Sequence, residues 1–274
     1  MQQYWVPRVD WQNERVIIRA ADAHHIRHVM RQKVGDRVRV FDGRGRMAEV
    51  ELTDIHGQTV IGSIIREERQ TVRHRWVICP ALLKGEKMDW LMQKSTELGA
   101  TDIYPLSTEH AVVRLSADKE ATRRARFQKI VKEAAEQSAR WWLPEVYPLY
   151  TPGEWLDEVW PELHAAGGVL MVAASPQDAE HIGIRPRPLA AFITELKSER
   201  PYIVCVGPEG GFSAREMTLF HARGAQMIAL GRRPLRAETA TLAVLSYFLM
   251  LTGMSEANEA IEGIDPLADC GTLS

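Results

Sequence analysis

Two short stretches gather the side chains best suited to chemistry. One is Gly207-Pro208-Glu209-Gly210-Gly211, a turn with one carboxylate and little else to cover the main chain. The other is Arg232-Arg233-Pro234-Leu235-Arg236, three guanidinium groups within five positions, followed at once by Glu238 and Thr239. Glycine lets a ligand approach the backbone closely. Free amides at a helix N-terminus, together with fixed positive charge, suit a ligand site. The first turn lacks the Lys-Ser/Thr pair of a P-loop, which argues against a nucleotidase.

The elements that must hold these turns are readable around them. Residues 202–206 (Y-I-V-C-V) form a short apolar, β-branched run, the pattern of a buried strand. Ser213 and Glu216 have capping-box spacing, so a helix should open after the glycine turn. Residues 227–230 (M-I-A-L) give a second strand ending at Gly231, and an apolar helix should cover 242–250. Parallel strands that end in such turns bring both loops to one edge of a sheet, where open α/β sheets bind ligands.

The succession G-P-E-G-G-F-S and then L-G-x-x-x-L-R-x-E-T-A resembles the ribosomal RNA small-subunit methyltransferase E family of the SPOUT superfamily. That resemblance covers nearly the whole chain except its tail. It implies an α/β fold of SPOUT type, a knotted and largely parallel sheet, with an N-terminal PUA-like β-barrel that binds RNA. It implies S-adenosylmethionine as cofactor, N3 of one uridine in 16S ribosomal RNA of the 30S subunit as acceptor, and a homodimer with sites at the subunit interface. The cofactor would lie in three loops: the end of the strand holding Met171 and Val172; Gly207, Glu209, Gly210 and Gly211; and Leu230, Gly231, Leu235 and Thr239. Arg236 would stabilise charge on the uracil oxygens, and Glu238 would orient Arg236 or take the proton. Two alternatives stay open: a ribose 2′-hydroxyl as acceptor, or an RNA-binding assembly factor without catalysis.

The 274 residues suffice for two domains, and 45% apolar with 26% charged residues is ordinary for a globular protein. No signal peptide or membrane span is evident, and the three scattered cysteines suggest neither a disulfide framework nor a metal site, so a cytoplasmic protein is expected. The net charge of −2 hides an asymmetry: residues 256–274 carry five carboxylates and no Lys or Arg, which leaves the rest at +3. RNA binding must therefore come from local clustering. The acidic tail, 255–274, is expected to be poorly ordered.

Residues 1–70 read as a small β-rich domain, with strands expected at 16–18, 35–43, 47–52 and 60–65 and a short helix at 22–30. His24 and His28 could share a helix face, but no further ligand completes a metal set nearby, and no metal is expected. His28-Val29-Met30-Arg31 resembles the family's H-x-x-R segment, and Arg8, Arg27 and Arg31 are candidate RNA contacts. Polar residues 66–75 read as a linker. A second domain, 76–254, follows, with strands near 76, 103, 169, 202 and 227 alternating with helices, which argues for a largely parallel sheet.

Within it, helices are expected at 88–98, 118–139, 153–164 and 189–197. The segments K-G-E-K-M at 84–88 and Q-K-S-T-E-L-G at 93–99 match the family and make Lys94 a further RNA candidate. From Arg114 to Arg140 eight Lys/Arg face four Asp/Glu, so the 118–139 helix could meet nucleic acid. Its end, E-A-A-E-Q-S-A-R, resembles the family's E-A-x-E-Q-x-G-R and brings in Arg140 as an RNA contact; Ala139 stands where glycine is usual. Trp141 and Trp142 are read as packing that helix onto the core. Residues 175–177 follow the 168–174 strand as its polar end.

Overall fold

The structure, a computed structural model, describes residues 1–71, 74–111, 117–174, 183–191 and 200–262. The polar loop at 175–177, most of the expected 189–197 helix, Cys270 and the tail beyond 262 lie outside the described residues.

The N-terminal part is one curled sheet. Its strands are β1 (Gln3–Trp5), β2 (Trp11–Gln12), β3 (Arg15–Arg19), β4 (Arg37–Phe41), β5 (Arg46–His56) and β6 (Thr59–Arg69), in the order β1-β4-β5-β6-β3-β2. Alternation explains the curl. Val38, Val40, Ala48, Val50, Leu52 and Val60 face inward and are fully buried, while Arg37, Arg39, Glu49 and Glu51 alternate with them. Tyr4 and Val6 from one edge and Trp11 from the other join the same core, so the sheet wraps around it. The expected helix at 22–30 divides into α1 (Ala20–His24) and a π-helical turn, His25–Val29. The expected linker is shorter than its polarity suggested. Arg66 to Arg69 stay in β6 because their backbones pair with β5, although their side chains are mostly exposed.

The second sheet has seven strands, ordered β11-β13-β10-β12-β7-β8-β9, and every pairing in it is parallel. They are β7 (Arg75–Pro80), β8 (Asp102–Ile103), β9 (Glu145–Val146), β10 (Val169–Ala173), β11 (Arg187–Pro188), β12 (Pro201–Val206) and β13 (Gln226–Ala229). All five expected strands are present; the two-residue edges β9 and β11 were not foreseen. Helices α2 (Glu86–Glu97), α3 (Ala117–Gln137), α4 (Pro152–Glu158), α5 (Trp160–Ala165), α6 (Ala214–Ala222) and α7 (Ala237–Glu262) complete this part. Both faces of the sheet are covered by apolar clusters, which is why its central strands read as continuous apolar runs. α7 continues through Glu262, into the stretch expected to be unstructured. No helix among the described residues is long and apolar enough to cross a membrane.

α3 joins the two parts. Lys132 Nζ lies 2.8 Å from Asp22 Oδ1 and 3.0 Å from Glu136 Oε1, and Glu136 in turn accepts from the Trp5 amide at 2.9 Å. The Trp142 ring fills the space above Gly45, where an added Cβ would come within 2.7 Å of it. Trp141 packs beside it against Phe41, Met47 and Ala135, so the pair joins the end of α3 to the N-terminal sheet.

Candidate cofactor cleft and its surroundings

Register builds the site. β10 lies between β12 and β13, and Ala173 is level with both Val206 and Ile228. Three parallel strands therefore stop at one height, and the chain leaves β12 and β13 there in loops. After β12 the chain turns through residues 207–212, closed by a Gly211 N–H to Pro208 carbonyl bond of 2.9 Å. Gly211 needs its glycine, with φ +71°. Ser213 then caps α6 with the expected box: its Oγ accepts from the Glu216 amide, and Glu216 accepts from the Ser213 amide. After β13, Gly231 takes φ +131° and the arginine loop runs to α7.

The end of β10 and these two loops bound a cleft of about 480 Å³, within the usual size of small-molecule sites. Apolar Ala173, Val206, Ile228, Leu230, Leu235 and Ala240 line it, together with the glycines 207, 210, 211 and 231, Glu209, Arg232 and Arg233. Of the expected cofactor residues, Gly207, Glu209, Gly210, Gly211, Leu230, Gly231 and Leu235 are at the cleft. Met171 and Val172 are not: both are fully buried within the sheet, and Ala173 and Ala174, two positions further on, form the strand's end. Thr239 is exposed outside the lining.

Glu209 is the one carboxylate in the lining. Its Oε1 lies 2.6 Å from Lys87 Nζ, an ion pair between the first βα turn of this sheet and the glycine turn. Lys87 holds the Glu209 carboxyl below the usual carboxylate range; Glu209's own amide and then Arg236 add to this. Arg236, between lining residues Leu235 and Ala237, is at the edge of the cleft without lining it. Glu238 is buried in the first turn of α7, with Oε2 lacking a partner among the described residues, and it does not line the cleft. Another residue at this edge escaped the sequence reading. His110 Nδ1 sits 3.1 Å from the Gly210 carbonyl and 3.2 Å from that of Gly211.

The expected RNA contacts are dispersed. Arg31 is exposed, with φ +53°, just past the π-helical turn. Arg8 pairs with buried Asp42 at 2.8 Å, Arg27 donates to the Gly57 carbonyl, and Lys94 pairs with Glu97 at 2.8 Å. Arg140 points inward. Its guanidinium donates to the carbonyls of Thr96 and Ala100, each at 2.7 Å, and of Gly99 at 3.3 Å, which ties down the end of α2. Burial lowers its pKa to about 10. Ala139 before it adopts φ +55°, so the turn keeps the left-handed geometry despite lacking glycine. Much of α3's positive charge is also committed: Arg124 to the Val146 carbonyl, Arg126 to Asp89, Lys132 to Asp22. The His24 and His28 rings approach to 4.6 Å, but no group of three or more His, Cys, Asp or Glu among the described residues could hold a metal.

Comparison with known proteins places this architecture. Residues 71–249 match the RNA methyltransferase domain family and residues 18–65 the RNA methyltransferase PUA domain family. Ribosomal RNA small subunit methyltransferase E of Bacillus subtilis is 30% identical over 90% of this chain and 95% of its own. The protein of that name from Synechocystis is 33% identical over 84% of this chain and 71% of its own. The crystal structure of ribosomal RNA small subunit methyltransferase E from Neisseria gonorrhoeae, bound to S-adenosyl methionine, superposes with a TM-score of 0.75 at 27% identity, over 92% of this chain and 98% of that one. The chain therefore belongs to the ribosomal RNA small subunit methyltransferase E family.

Proposed function

We propose that this protein transfers a methyl group from S-adenosylmethionine to N3 of one uridine in 16S ribosomal RNA of the small ribosomal subunit. The observation that carries this is the cleft where three level strand ends meet, with apolar walls, open glycine backbone and a single carboxylate. Those residues fit the cofactor. Leu230, Leu235, Ile228 and Ala240 suit the faces of an adenine ring, and main-chain groups of the glycine turn suit its polar edges. Glu209 gives a cationic donor its countercharge.

When bound, the cofactor supplies an electrophilic methyl group on a sulfonium. The protein's share is mainly to hold the uracil in line with it. Arg236, beside Glu209 at the cleft's edge, is proposed to stabilise negative charge spreading over the uracil oxygens. Glu238 is proposed to fix the helix start behind Arg236. Arg31, Arg8, Arg27 and Lys94 are proposed to meet phosphates, with Arg31 the most available of them. Arg140 is left out, since its guanidinium is spent internally. A homodimer is part of the proposal: Leu249 and Met250 on α7 and Leu235 at the cleft leave apolar surface for a second copy.

The test is methyl transfer from labelled cofactor to 30S subunits lacking the modification, followed by mapping of the label. Label on uridine N3 supports the proposal. Label on a ribose oxygen, or none, overturns it.

A further inference from the structure

An N3–H must lose its proton before the nitrogen can accept a methyl group, and among the described residues the cleft lining offers no base suited to the task. Glu209 is held ionised by Lys87 and engaged with it. Glu238 is buried in the first turn of α7, out of a nucleobase's reach. We infer that His110 is the proton acceptor, acting through Nε2; this rests on the uridine-N3 reading above.

The geometry fixes which nitrogen is free. Both atoms that Nδ1 meets, the Gly210 and Gly211 carbonyl oxygens, can only accept. Nδ1 must therefore carry the hydrogen, and the neutral ring keeps its lone pair on Nε2. The ring is exposed at the edge of the cleft, outside its lining but against lining residues Gly210 and Gly211, which leaves Nε2 open to a nucleobase brought there. The segment carrying it is anchored twice, to the glycine turn and to the helix that follows it. Besides the His110 bonds, the Glu109 amide donates to Glu216 Oε1 at 2.9 Å, and Glu216 belongs to the box that caps α6. Gly210 also leaves room for the ring, since a Cβ there would stand 3.3 Å from His110 Cβ. A base held in one tautomer by two carbonyls, against the loop that lines the cofactor cleft, is oriented in advance.

The proton balance is simple. The N3–H proton passes to Nε2, and its bonding pair stays on N3. That pair forms the new bond to the methyl carbon while the carbon–sulfur pair remains on sulfur, leaving a neutral thioether. The resulting imidazolium, with both nitrogens protonated, keeps its Nδ1 bonds and returns one proton to water.

Two measurements test this. In the free protein, nitrogen NMR of the His110 ring is expected to show the Nδ1–H tautomer; an Nε2–H tautomer overturns the assignment. In the transfer assay on 30S subunits, His110→Ala and His110→Gln are each expected to lower kcat by about a hundredfold or more, with cofactor affinity unchanged by calorimetry and with turnover of His110→Ala restored by added imidazole. The Gln variant keeps an N–H for the two carbonyls but has no basic nitrogen. Retained kcat in either variant, or a loss of cofactor affinity that accounts for the lost turnover, overturns the inference. Should the wild type place label somewhere other than N3, the proposed function fails; N3 labelling with unaffected His110 variants sinks the His110 assignment alone.

Discussion

Arg140→Met distinguishes an internal strut from an RNA contact. The guanidinium makes two bonds of 2.7 Å and one of 3.3 Å to carbonyls at the end of α2. Hydrogen bonds to a charged group contribute about 1.5–3 kcal/mol each, so the two short ones together amount to about 3–6 kcal/mol. Against this stands the burial of the charge, which lowers the pKa from 12.5 to about 10. At about 1.4 kcal/mol per pKa unit that costs about 3 kcal/mol. The difference predicts a loss of about 0–3 kcal/mol, for which methionine packing gives little return because the carbonyls lose their donors. For a chain of this size the melting temperature should fall by about 2–4 °C per kcal/mol. Urea unfolding measures the stability. RNA binding over a range of salt concentrations, at a temperature where both proteins are folded, measures the contact. Unchanged affinity and salt slope are expected. A slope reduced by about 0.7–0.9 with stability intact would mean that Arg140 neutralises a phosphate, and would refute this account.

The turn before Arg140 gives a gain-of-stability test. Ala139→Gly should stabilise the protein by about 1 kcal/mol, because Ala139 sits at φ +55°; unfolding by urea measures it. Asp102→Ala should cost about 3 kcal/mol or more, since buried Asp102 takes a bidentate pair from Arg75 at 2.9 and 3.0 Å and bonds from Thr101 and Tyr147. Lys87→Met should raise the midpoint of the Glu209 carboxyl toward its ordinary value, read by carbon NMR titration. The sign follows from the lowered folded-state pKa. The stabilisation from ionised Glu209 is present above its unfolded-state pKa and is lost as the pH falls through the depressed one. Both partners are more than a third exposed, so the change in stability should stay under about 1 kcal/mol.

The site's frame was legible where local pattern decides structure. β-branched runs announced β12 and β13, and Ser213 with Glu216 announced the start of α6. Strand ends are a weaker signal: β10 is apolar throughout, so nothing in its composition separates Met171 and Val172 from Ala173 and Ala174, which reach the cleft. Other features depend on distant partners. Arg140 entered as an RNA contact through the resemblance of E-A-A-E-Q-S-A-R to a family segment, and its carbonyl acceptors, about 40 residues away, carried no signal there. Lys87 was visible in its motif, but Glu209 as its partner was not. His110 gave no local signal, because its role comes from two carbonyls one hundred positions later. Cys79 and Cys205, scattered in sequence, face one another across β7 and β12, both fully buried. The polar stretch at 66–69 read as a linker because none of its residues is buried, and only its ladder to β5 makes it a strand.

The most direct test of the account is a crystal structure of the protein with S-adenosylmethionine. The cofactor should lie between Ala173, the 207–211 turn and the 230–235 loop, with Glu209 facing its cationic portion. Well-measured density for the cofactor anywhere else, or binding that leaves these three segments untouched, would contradict it.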